Sequence, residues 1–300
     1  MIQIEQLSKH FEKNKVLQQI NLFVKKGSIY GLLGSNGAGK TTLLKTIAGI
    51  IKQNHGSILI EDNPVFEHTL LKERMIFIPD QPFFFSQYTV KQMASFYANT
   101  YPYWDQKRFD HMQQLLDLNP KEKIHKFSKG MQRQVAFWLA LCARPDYLIM
   151  DEPFDGLDAV IRRKIKSWII QDVAERDMTV LISSHNLQEV EDMCDAIGVL
   201  HRGKLLIENN LDDLKSDTHK VQFAFKGEVD EAALLEGLQI IEKEKRGSVY
   251  VCVIRGDRTD IEEKIGKYQP VIFDILPLTL EEIFIYEMED AGYGIENILL

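Results

Sequence analysis

The distribution of apolar and polar residues predicts alternating strands and helices over about the first 210 residues. Residues 28–33, 147–150 and 179–182 form short apolar runs, each with the length and composition of a buried strand. Residues 41–50 and much of 89–144 are predicted to be helical. Strands that alternate with helices are typical of an α/β domain. The stretch at 89–144 is then expected to be a helical insertion between two strand-bearing parts of one core.

The pattern changes after about residue 215. Strand-like runs at 221–225, 248–254 and 271–273 precede the sequence T-L-E-E at 279–282, which is a capping box and indicates the start of a last helix. The apolar face of that helix is predicted to consist of Leu280, Ile283, Phe284 and Met288. These elements indicate a small α+β domain at the C-terminal end.

The charge distribution supports a boundary at the same place. Residues 1–214 carry 26 Lys and Arg against 26 Asp and Glu, whereas residues 215–300 carry 10 against 18, which accounts for the whole formal charge of −8. We therefore predict one domain over 1–215 and an acidic accessory domain over 216–300, with the boundary near 215–219. Because an acidic domain repels phosphate backbones, a nucleic-acid partner is not expected.

The composition also disfavours two classes of protein. No apolar run approaches the roughly 18 residues that cross a bilayer, and the first residues lack the basic and apolar segments of a secretory signal. The three cysteines, Cys142, Cys194 and Cys252, lie far apart and show no metal-binding spacing. We expect reduced, buried thiols and a protein of the reducing cytosol rather than an integral membrane or secreted protein.

A phosphate-binding loop follows the first predicted strand. Residues 34–41 read G-S-N-G-A-G-K-T, which matches G-x-x-x-x-G-K-[ST] between a strand and a helix. Its glycines let backbone N–H groups surround phosphate oxygens, and the helix that follows adds the positive end of its dipole. Lys40 is expected to contact the β- and γ-phosphates, and Thr41 to place its hydroxyl on Mg²⁺. The predicted nucleotide-binding residues here are Gly34, Ser35, Asn36, Gly37, Ala38, Gly39, Lys40, Thr41 and Thr42.

Two carboxylates follow a later buried strand. Asp151 and Glu152 come directly after the apolar run that ends at Met150. An aspartate at a strand end can hold Mg²⁺, and the adjacent glutamate can polarise the water that attacks the γ-phosphate. A solvated strand end would also carry such a pair, but the phosphate loop favours the catalytic interpretation. Asp151 is therefore a predicted metal ligand and Glu152 a predicted general base.

Four further motifs, in the right order, make residues 1–215 resemble the ATPase subunit of an ABC transporter. F-S-K-G-M-Q at 127–132 stands at the position of the family signature, and G-L-D at 156–158 at that of the D-loop. His185 occupies the position of the switch histidine, and Phe11 that of the aromatic residue that stacks on adenine. The resemblance implies a P-loop NTPase cassette that binds ATP and Mg²⁺, with a RecA-like core and a helical subdomain at about 85–145.

The signature departs from the usual family pattern of two glycines followed by glutamine. Lys129 replaces the first glycine, and Met131 replaces the glutamine. Ser128 and Gly130 remain, and the resemblance implies that both contact the ATP bound by the other subunit of a dimer. A helix cap at Ser128 is the alternative interpretation.

The Q-loop departs as well. In I-F-I-P-D-Q-P, at 76–82, Asp80 stands where the family's glutamine normally follows proline, and Gln81 lies one place later. Either side chain is a candidate for the residue that senses Mg²⁺, and Asp80 is preferred.

The resemblance further implies an exporter-type ATPase on the cytoplasmic face of the cell membrane. Such ATPases pair with a separately encoded permease and often move antibiotics, peptides or lipid-linked substrates. Two cassettes would pack head to tail around two ATP molecules, as a homodimer or as a heterodimer with a second ABC ATPase. Candidate residues for docking to the permease are Phe83, Phe84, Phe85 and Tyr88.

Two other functions remain as alternatives. A soluble ABC ATPase that acts on DNA or ribosomes is disfavoured, because the interval from Lys40 to Ser128 is too short for a long coiled coil and the chain carries one cassette. A regulatory cassette with little hydrolysis is disfavoured by the presence of Glu152 and His185.

Overall fold

The computed structural model describes residues 1–216, 218–227 and 229–290. The chain divides into two compact units, the first Met1–Glu208 and the second from Asn209 onward. The boundary predicted near 215–219 falls a few residues beyond this division, because the helix Leu211–Ser216 packs against the first strand of the second unit. Within the described residues, no helix has the length and apolar composition that a membrane crossing requires.

The first part of the chain contains ten strands and seven α-helices among the described residues. The strands are β1 (Ile2–Phe11), β2 (Asn14–Val24), β3 (Ile29–Leu33), β4 (His55–Ile60), β5 (Asn63–Pro64), β6 (Met75–Ile78), β7 (Tyr147–Asp151), β8 (Thr179–Ser184), β9 (Ala196–His201) and β10 (Lys204–Asn210). The α-helices are α1 (Lys40–Ile47), α2 (Thr69–Lys72), α3 (Val90–Thr100), α4 (Gln106–Leu116), α5 (Lys129–Cys142), α6 (Ala159–Arg176) and α7 (Leu187–Glu191). A single 3-10 turn, Ile124–Lys126, precedes α5.

A six-stranded sheet of order β10-β9-β3-β8-β7-β6 forms the centre of this unit. The pairs β9–β3, β3–β8, β8–β7 and β7–β6 are parallel, so their carboxyl ends meet at one edge. All residues of β3, β7 and β8 are buried, as their continuous apolar runs predict. The α/β fold expected from the sequence is confirmed, and its parallel strands deliver the phosphate loop, Asp151 and His185 to the same edge.

A second sheet, of order β2-β1-β4-β5, is antiparallel and was not predicted. Its strands break the regular alternation of apolar and polar residues at β-bulges, and Gln6 and Gln19 have positive φ there. Strands β1 and β2 bury Ile4, Ile20 and Leu22 in a core that also includes residues of α1 and β7.

The insertion between β6 and β7 is helical, as predicted. Helix α5 is buried over most of its length, and the Trp138 indole Nε1 donates a hydrogen bond to the Phe109 carbonyl at 3.0 Å. The rings of Phe109 and Trp138 stack with centroids 4.4 Å apart, which joins α4 to α5.

The second unit has a β-α-β-β-α-β arrangement flanked by two further helices. Its elements are α8 (Leu211–Ser216), β11 (Thr218–Ala224), α9 (Glu231–Leu235), β12 (Gln239–Arg246), β13 (Val249–Arg255), α10 (Arg258–Gly266), β14 (Ile272–Leu276) and α11 (Leu280–Asp290). The sheet order β12-β13-β11-β14, with antiparallel pairs throughout, is that of a ferredoxin-like fold. The pattern predicted three of these strands but missed β12, which is largely charged and exposed.

The capping box at the start of α11 is confirmed. The Thr279 N–H donates to the Glu282 carboxylate at 3.0 Å, and the Glu282 N–H donates to the Thr279 hydroxyl at 3.2 Å. Leu280 and Ile283 are buried, as predicted. The side chains of Phe284 and Met288, which the same prediction includes, lie outside the described residues.

Candidate active site

The phosphate loop connects β3 to α1 through three glycines with positive φ. Gly34, Gly37 and Gly39 have φ values of 152°, 81° and 110°, a region that side chains with a Cβ rarely adopt. Gly39 is also the N-cap of α1 and supplies no side-chain cap, so the first N–H groups of the helix stay available for a ligand. A cavity of about 390 Å³ opens over this turn. It is lined by Val16, Ser35, Asn36, Gly37, Gly39, Lys40, Thr41, Thr42, Asp80, Asp151 and Glu152.

Lys40 and Thr41 turn towards the end of β7. The Lys40 ammonium is buried, donates to the Gly34 carbonyl at 2.5 Å and lies 3.1 Å from the Glu152 carboxylate. The Thr41 hydroxyl donates to Asp151 Oδ2 at 2.7 Å. The loop is therefore joined to both carboxylates that the sequence selects.

Asp151 is a buried carboxylate with two hydroxyl partners. Its Oδ1 accepts from the Ser183 hydroxyl at 2.7 Å, and its Oδ2 accepts from Thr41. Ser183 is opposite Asp151 in the β7–β8 register, which explains why the two meet. Carboxylate and hydroxyl oxygens are the hard ligands that Mg²⁺ prefers, so these residues fit that ion.

Glu152 is held by three other groups. Its φ of 44° places the backbone in the left-handed region, which costs a non-glycine residue free energy and is common at active sites. The Ser183 hydroxyl accepts from the Glu152 N–H at 3.0 Å. The carboxylate lies between Lys40 and His185, with the His185 Nδ1 2.9 Å from Oε2. The predicted base and the predicted switch histidine are therefore in direct contact.

The structure separates the two Q-loop candidates. Asp80 lines both the cavity above the phosphate loop and a neighbouring cavity between the Q-loop and α5, whereas Gln81 lines only the second of these two. The carboxylate of Asp80 also accepts a hydrogen bond from the Arg133 guanidinium at 2.9 Å. Sequence reasoning did not select Arg133, because nothing local marks a helical arginine as a partner of a loop more than 50 residues away.

The signature residues lie at the start of α5 and do not line the phosphate-loop cavity. Ser128 is the N-cap of the helix, and its hydroxyl accepts from the Met131 N–H at 3.2 Å. At Gly130, a Cβ atom would lie 2.7 Å from the Gly156 carbonyl oxygen, so only glycine fits against the D-loop. Both residues thus have a local structural role, and neither lines the cavity that holds Lys40.

Phe11 is also away from the lining of that cavity. It ends β1 with about half of its side chain exposed, and the Lys9 ammonium lies 4.9 Å from the centroid of its ring. An exposed ring with one face covered by a cation can accept a flat ligand on the other face.

Exposed aromatic residues follow the Q-loop. Phe83 is 82% exposed, and Phe85 and Tyr88 are also among the exposed large side chains. The ring of Phe85 lies 5.1 Å from those of both Tyr88 and Phe96, measured between centroids. We call Phe83, Phe85, Tyr88 and Phe96 the aromatic surface. An exposed apolar patch of this kind is typical of a protein-binding site.

Comparison with known proteins gives consistent results. The family model described as "ABC transporter" matches residues 17–155. The ABC transporter ATP-binding protein YtrB of Bacillus subtilis is 35% identical, over 95% of this chain and 97% of that protein. The bacitracin transport ATP-binding protein BcrA of Bacillus licheniformis is 32% identical, over 79% and 78%. A solved structure of an ATP-binding subunit of an ABC transporter has a TM-score of 0.66 and 26% identity, over 72% of this chain and 92% of that one.

Proposed function

The chain belongs to the ABC transporter family as an ATP-binding subunit, an ATPase that uses Mg²⁺, and we propose that it drives export through a separately encoded membrane permease. Subunits of this family act with a permease and dimerise. The observation that carries the hydrolytic part of the proposal is the convergence of Lys40, Asp151, Glu152 and His185 at one sheet edge. A cassette without this set of contacts would fit a regulatory role with little hydrolysis.

The phosphate loop binds the triphosphate in this proposal. Residues 35–37 and 39–42 line the cavity, and the uncapped start of α1 suits an anion there. Lys40 supplies the positive charge, and its present ion pair with Glu152 gives way to the stronger negative charge of the phosphates. Phe11 provides the exposed ring on which adenine stacks.

Mg²⁺ would be held by Thr41 and Asp151, with Asp80 as the Q-loop residue in preference to Gln81. The support is the set of oxygen atoms around one cavity and the buried carboxylate of Asp151. When bound, the ion neutralises negative charge that develops on the phosphate oxygens. Asp151 is kept in place by Ser183, so its orientation does not depend on the ligand.

Glu152 and His185 perform the proton chemistry. Glu152 accepts the proton of the water that attacks the γ-phosphate, and its carboxylate becomes a stronger base when Lys40 turns to the phosphates. His185 contacts the second oxygen of the same carboxylate and orients it. A variant of either residue should therefore reduce turnover more than binding.

Ser128 and Gly130 act on the ATP of a second cassette. They do not line the cavity of their own chain, although Ser128 begins a helix, where N–H groups favour an anion. A head-to-tail dimer brings such a helix start to the opposite phosphate loop. The second cassette is either another copy of this chain or a related ATPase.

The aromatic surface docks the permease, which holds the subunit at the cytoplasmic face of the membrane. It is apolar, exposed, and continuous with the Q-loop through Pro82, so a partner bound there can respond to the nucleotide. The cassette comprises residues 1–215, with a helical subdomain at about 85–145, and residues 216–300 form an accessory domain. The ferredoxin-like arrangement of the second unit supports an independently folded accessory domain.

An antibiotic or another peptide is the proposed cargo, because a relative that covers most of this chain is named as a bacitracin transport protein. The decisive experiment uses inside-out membrane vesicles that contain the cognate permease and this subunit. ATP-dependent accumulation of labelled bacitracin in these vesicles is expected, and the Glu152→Gln subunit serves as the matched control. Accumulation only in right-side-out vesicles with internal ATP would contradict export, and absence of any transport would contradict this cargo.

A further inference from the structure

Arg133 is a buried cation that connects three loops of the active site. It lies in α5, one turn beyond Ser128, and is only 7% exposed. Its Nη1 donates to the Glu152 carbonyl at 3.1 Å and to the Asp155 carbonyl, and its Nη2 donates to the Asp80 carbonyl. This one side chain therefore binds three backbone carbonyls: that of Glu152, that of Asp155 just before the D-loop, and that of Asp80 in the Q-loop.

The charge of Arg133 is balanced by a single carboxylate within the described part of the chain. Nη2 donates to Asp80 Oδ1 at 2.9 Å, and this is the one ion pair of Arg133 among the described residues. A buried guanidinium needs such a partner, because an uncompensated charge of this kind is strongly destabilising. Asp80 is half-exposed and at the same time lines the cavity above the phosphate loop. Asp80 therefore contacts Arg133 and also borders the cavity in which Mg²⁺ would bind.

We propose that Arg133 is a positioning residue for ATP hydrolysis and that it competes with Mg²⁺ for the carboxylate of Asp80. The proposal rests on the assignment of Asp80 to the Mg²⁺ site made above. When the Asp80 side chain turns to the cavity, Arg133 keeps its hydrogen bonds to the carbonyls of Glu152 and Asp155. The loop that carries the base thus stays in place while the Q-loop changes its partner.

The charge of Arg133 and the planar shape of its guanidinium group are expected to have separate effects. Its charge attracts Asp80 and opposes a nearby metal ion, and a lysine would preserve this effect. Its planar fork reaches several acceptors at once, which a lysine cannot do. Arg133→Gln should remove both properties, whereas Arg133→Lys should remove only the fork.

The experiment measures the Mg²⁺ concentration that half-saturates binding of a fluorescent, non-hydrolysable ATP analogue, and separately the kcat and KM of ATP hydrolysis. Arg133→Gln is expected to lower the half-saturating concentration by about three- to tenfold, and Asp80→Asn to raise it by a similar factor. Arg133→Lys should leave this concentration close to the wild-type value but reduce kcat by about ten- to a hundredfold at nearly constant KM. In the Asp80→Asn background, Arg133→Gln should have no further effect on the Mg²⁺ dependence.

Arg108→Gln is the matched control, because it breaks another arginine–carboxylate ion pair in the same unit. The Arg108 Nη1 lies 2.7 Å from Asp172 Oδ1, and neither residue lines the phosphate-loop cavity. This variant should lower the thermal unfolding midpoint without changing the Mg²⁺ dependence. It separates loss of stability from loss of positioning.

The outcomes distinguish the assignment of Asp80 to the Mg²⁺ site from the competition between Arg133 and Mg²⁺. If Asp80→Asn leaves the Mg²⁺ dependence unchanged, Asp80 is not the metal-facing residue, and the competition is overturned with it. If Asp80→Asn raises the half-saturating concentration but Arg133→Gln does not lower it, only the competition is overturned. If Arg133→Lys changes KM and kcat together and lowers the thermal unfolding midpoint as Arg108→Gln does, the positioning role is wrong. Arg133 then only stabilises the folded structure.

Discussion

The Lys40 ammonium lies 3.1 Å from the Glu152 carboxylate, with both groups largely removed from solvent. The cation expected to bind the phosphates and the carboxylate proposed as the base thus form an ion pair with each other. His185 contacts the other oxygen of the same carboxylate. In the proposed mechanism, a triphosphate that attracts Lys40 would also make Glu152 a stronger base, so one ion pair would link nucleotide binding to catalysis.

Glu152→Gln should retain ATP binding and lose turnover. The amide keeps the shape of the side chain but cannot accept the proton, and loss of a general base typically costs about 10²- to 10⁴-fold in rate. Phosphate release measures the rate, and size-exclusion chromatography with ATP should show an accumulated dimer. Glu175→Gln, on the exposed side of α6, is the control and should be active. Normal turnover of Glu152→Gln would remove this residue from the mechanism.

Lys40→Ala should weaken nucleotide binding itself. The substitution removes the buried charge that is expected to contact the phosphates, and loss of one partner of a buried charged contact costs about 2 kcal/mol or more. Isothermal titration with Mg-ATP should therefore show affinity reduced by at least about thirtyfold. Lys45→Ala, in the same helix, is the matched control, because Lys45 does not line the cavity. Wild-type affinity of Lys40→Ala would contradict the assigned role of the loop.

The phosphate loop and the strand before Asp151 were predictable because their signals are local. Eight consecutive residues specify the loop, and a continuous apolar run specifies a strand that is buried on both faces. Arg133 gives no such signal, because its partners come from three loops that only the folded chain brings together. The strands β1 and β12 were missed for different reasons, since bulges interrupt one and charged residues fill the other.

Gly130→Ala should disturb the contact between α5 and the D-loop. The added Cβ would lie 2.7 Å from the Gly156 carbonyl oxygen, closer than side-chain carbons normally approach. Displacing that backbone is expected to lower the free energy of unfolding by about 1–3 kcal/mol, as overpacking does. Gly266→Ala is the control, because its Cβ would meet no atom within 4 Å. Urea unfolding compares the two variants. Equal free energies of unfolding would mean that the D-loop backbone can shift without loss of stability.

The cysteines should be unreactive in the folded protein. Cys142, Cys194 and Cys252 are all buried and form no disulfide. Burial raises the pKa of the Cys142 and Cys194 thiols, so the reactive thiolate is scarce even in mildly alkaline solution. A colorimetric thiol reagent at pH 8 should detect three thiols in denaturant and none in native protein. A fast-reacting native thiol would show that one of these sites opens readily.

Ser128→Arg should test whether the signature acts across a dimer. Ser128 caps α5 and does not line the cavity of its own chain, so a bulky cation there should leave monomeric ATP binding intact but prevent dimerisation and hydrolysis. Mixing this variant with Lys40→Ala pairs an intact phosphate loop with an intact signature at one of the two sites. Part of the ATPase activity should return in the mixture, whereas either protein alone stays inactive. Normal hydrolysis by Ser128→Arg alone would reduce the signature to a helix cap and rule out a composite site in this protein.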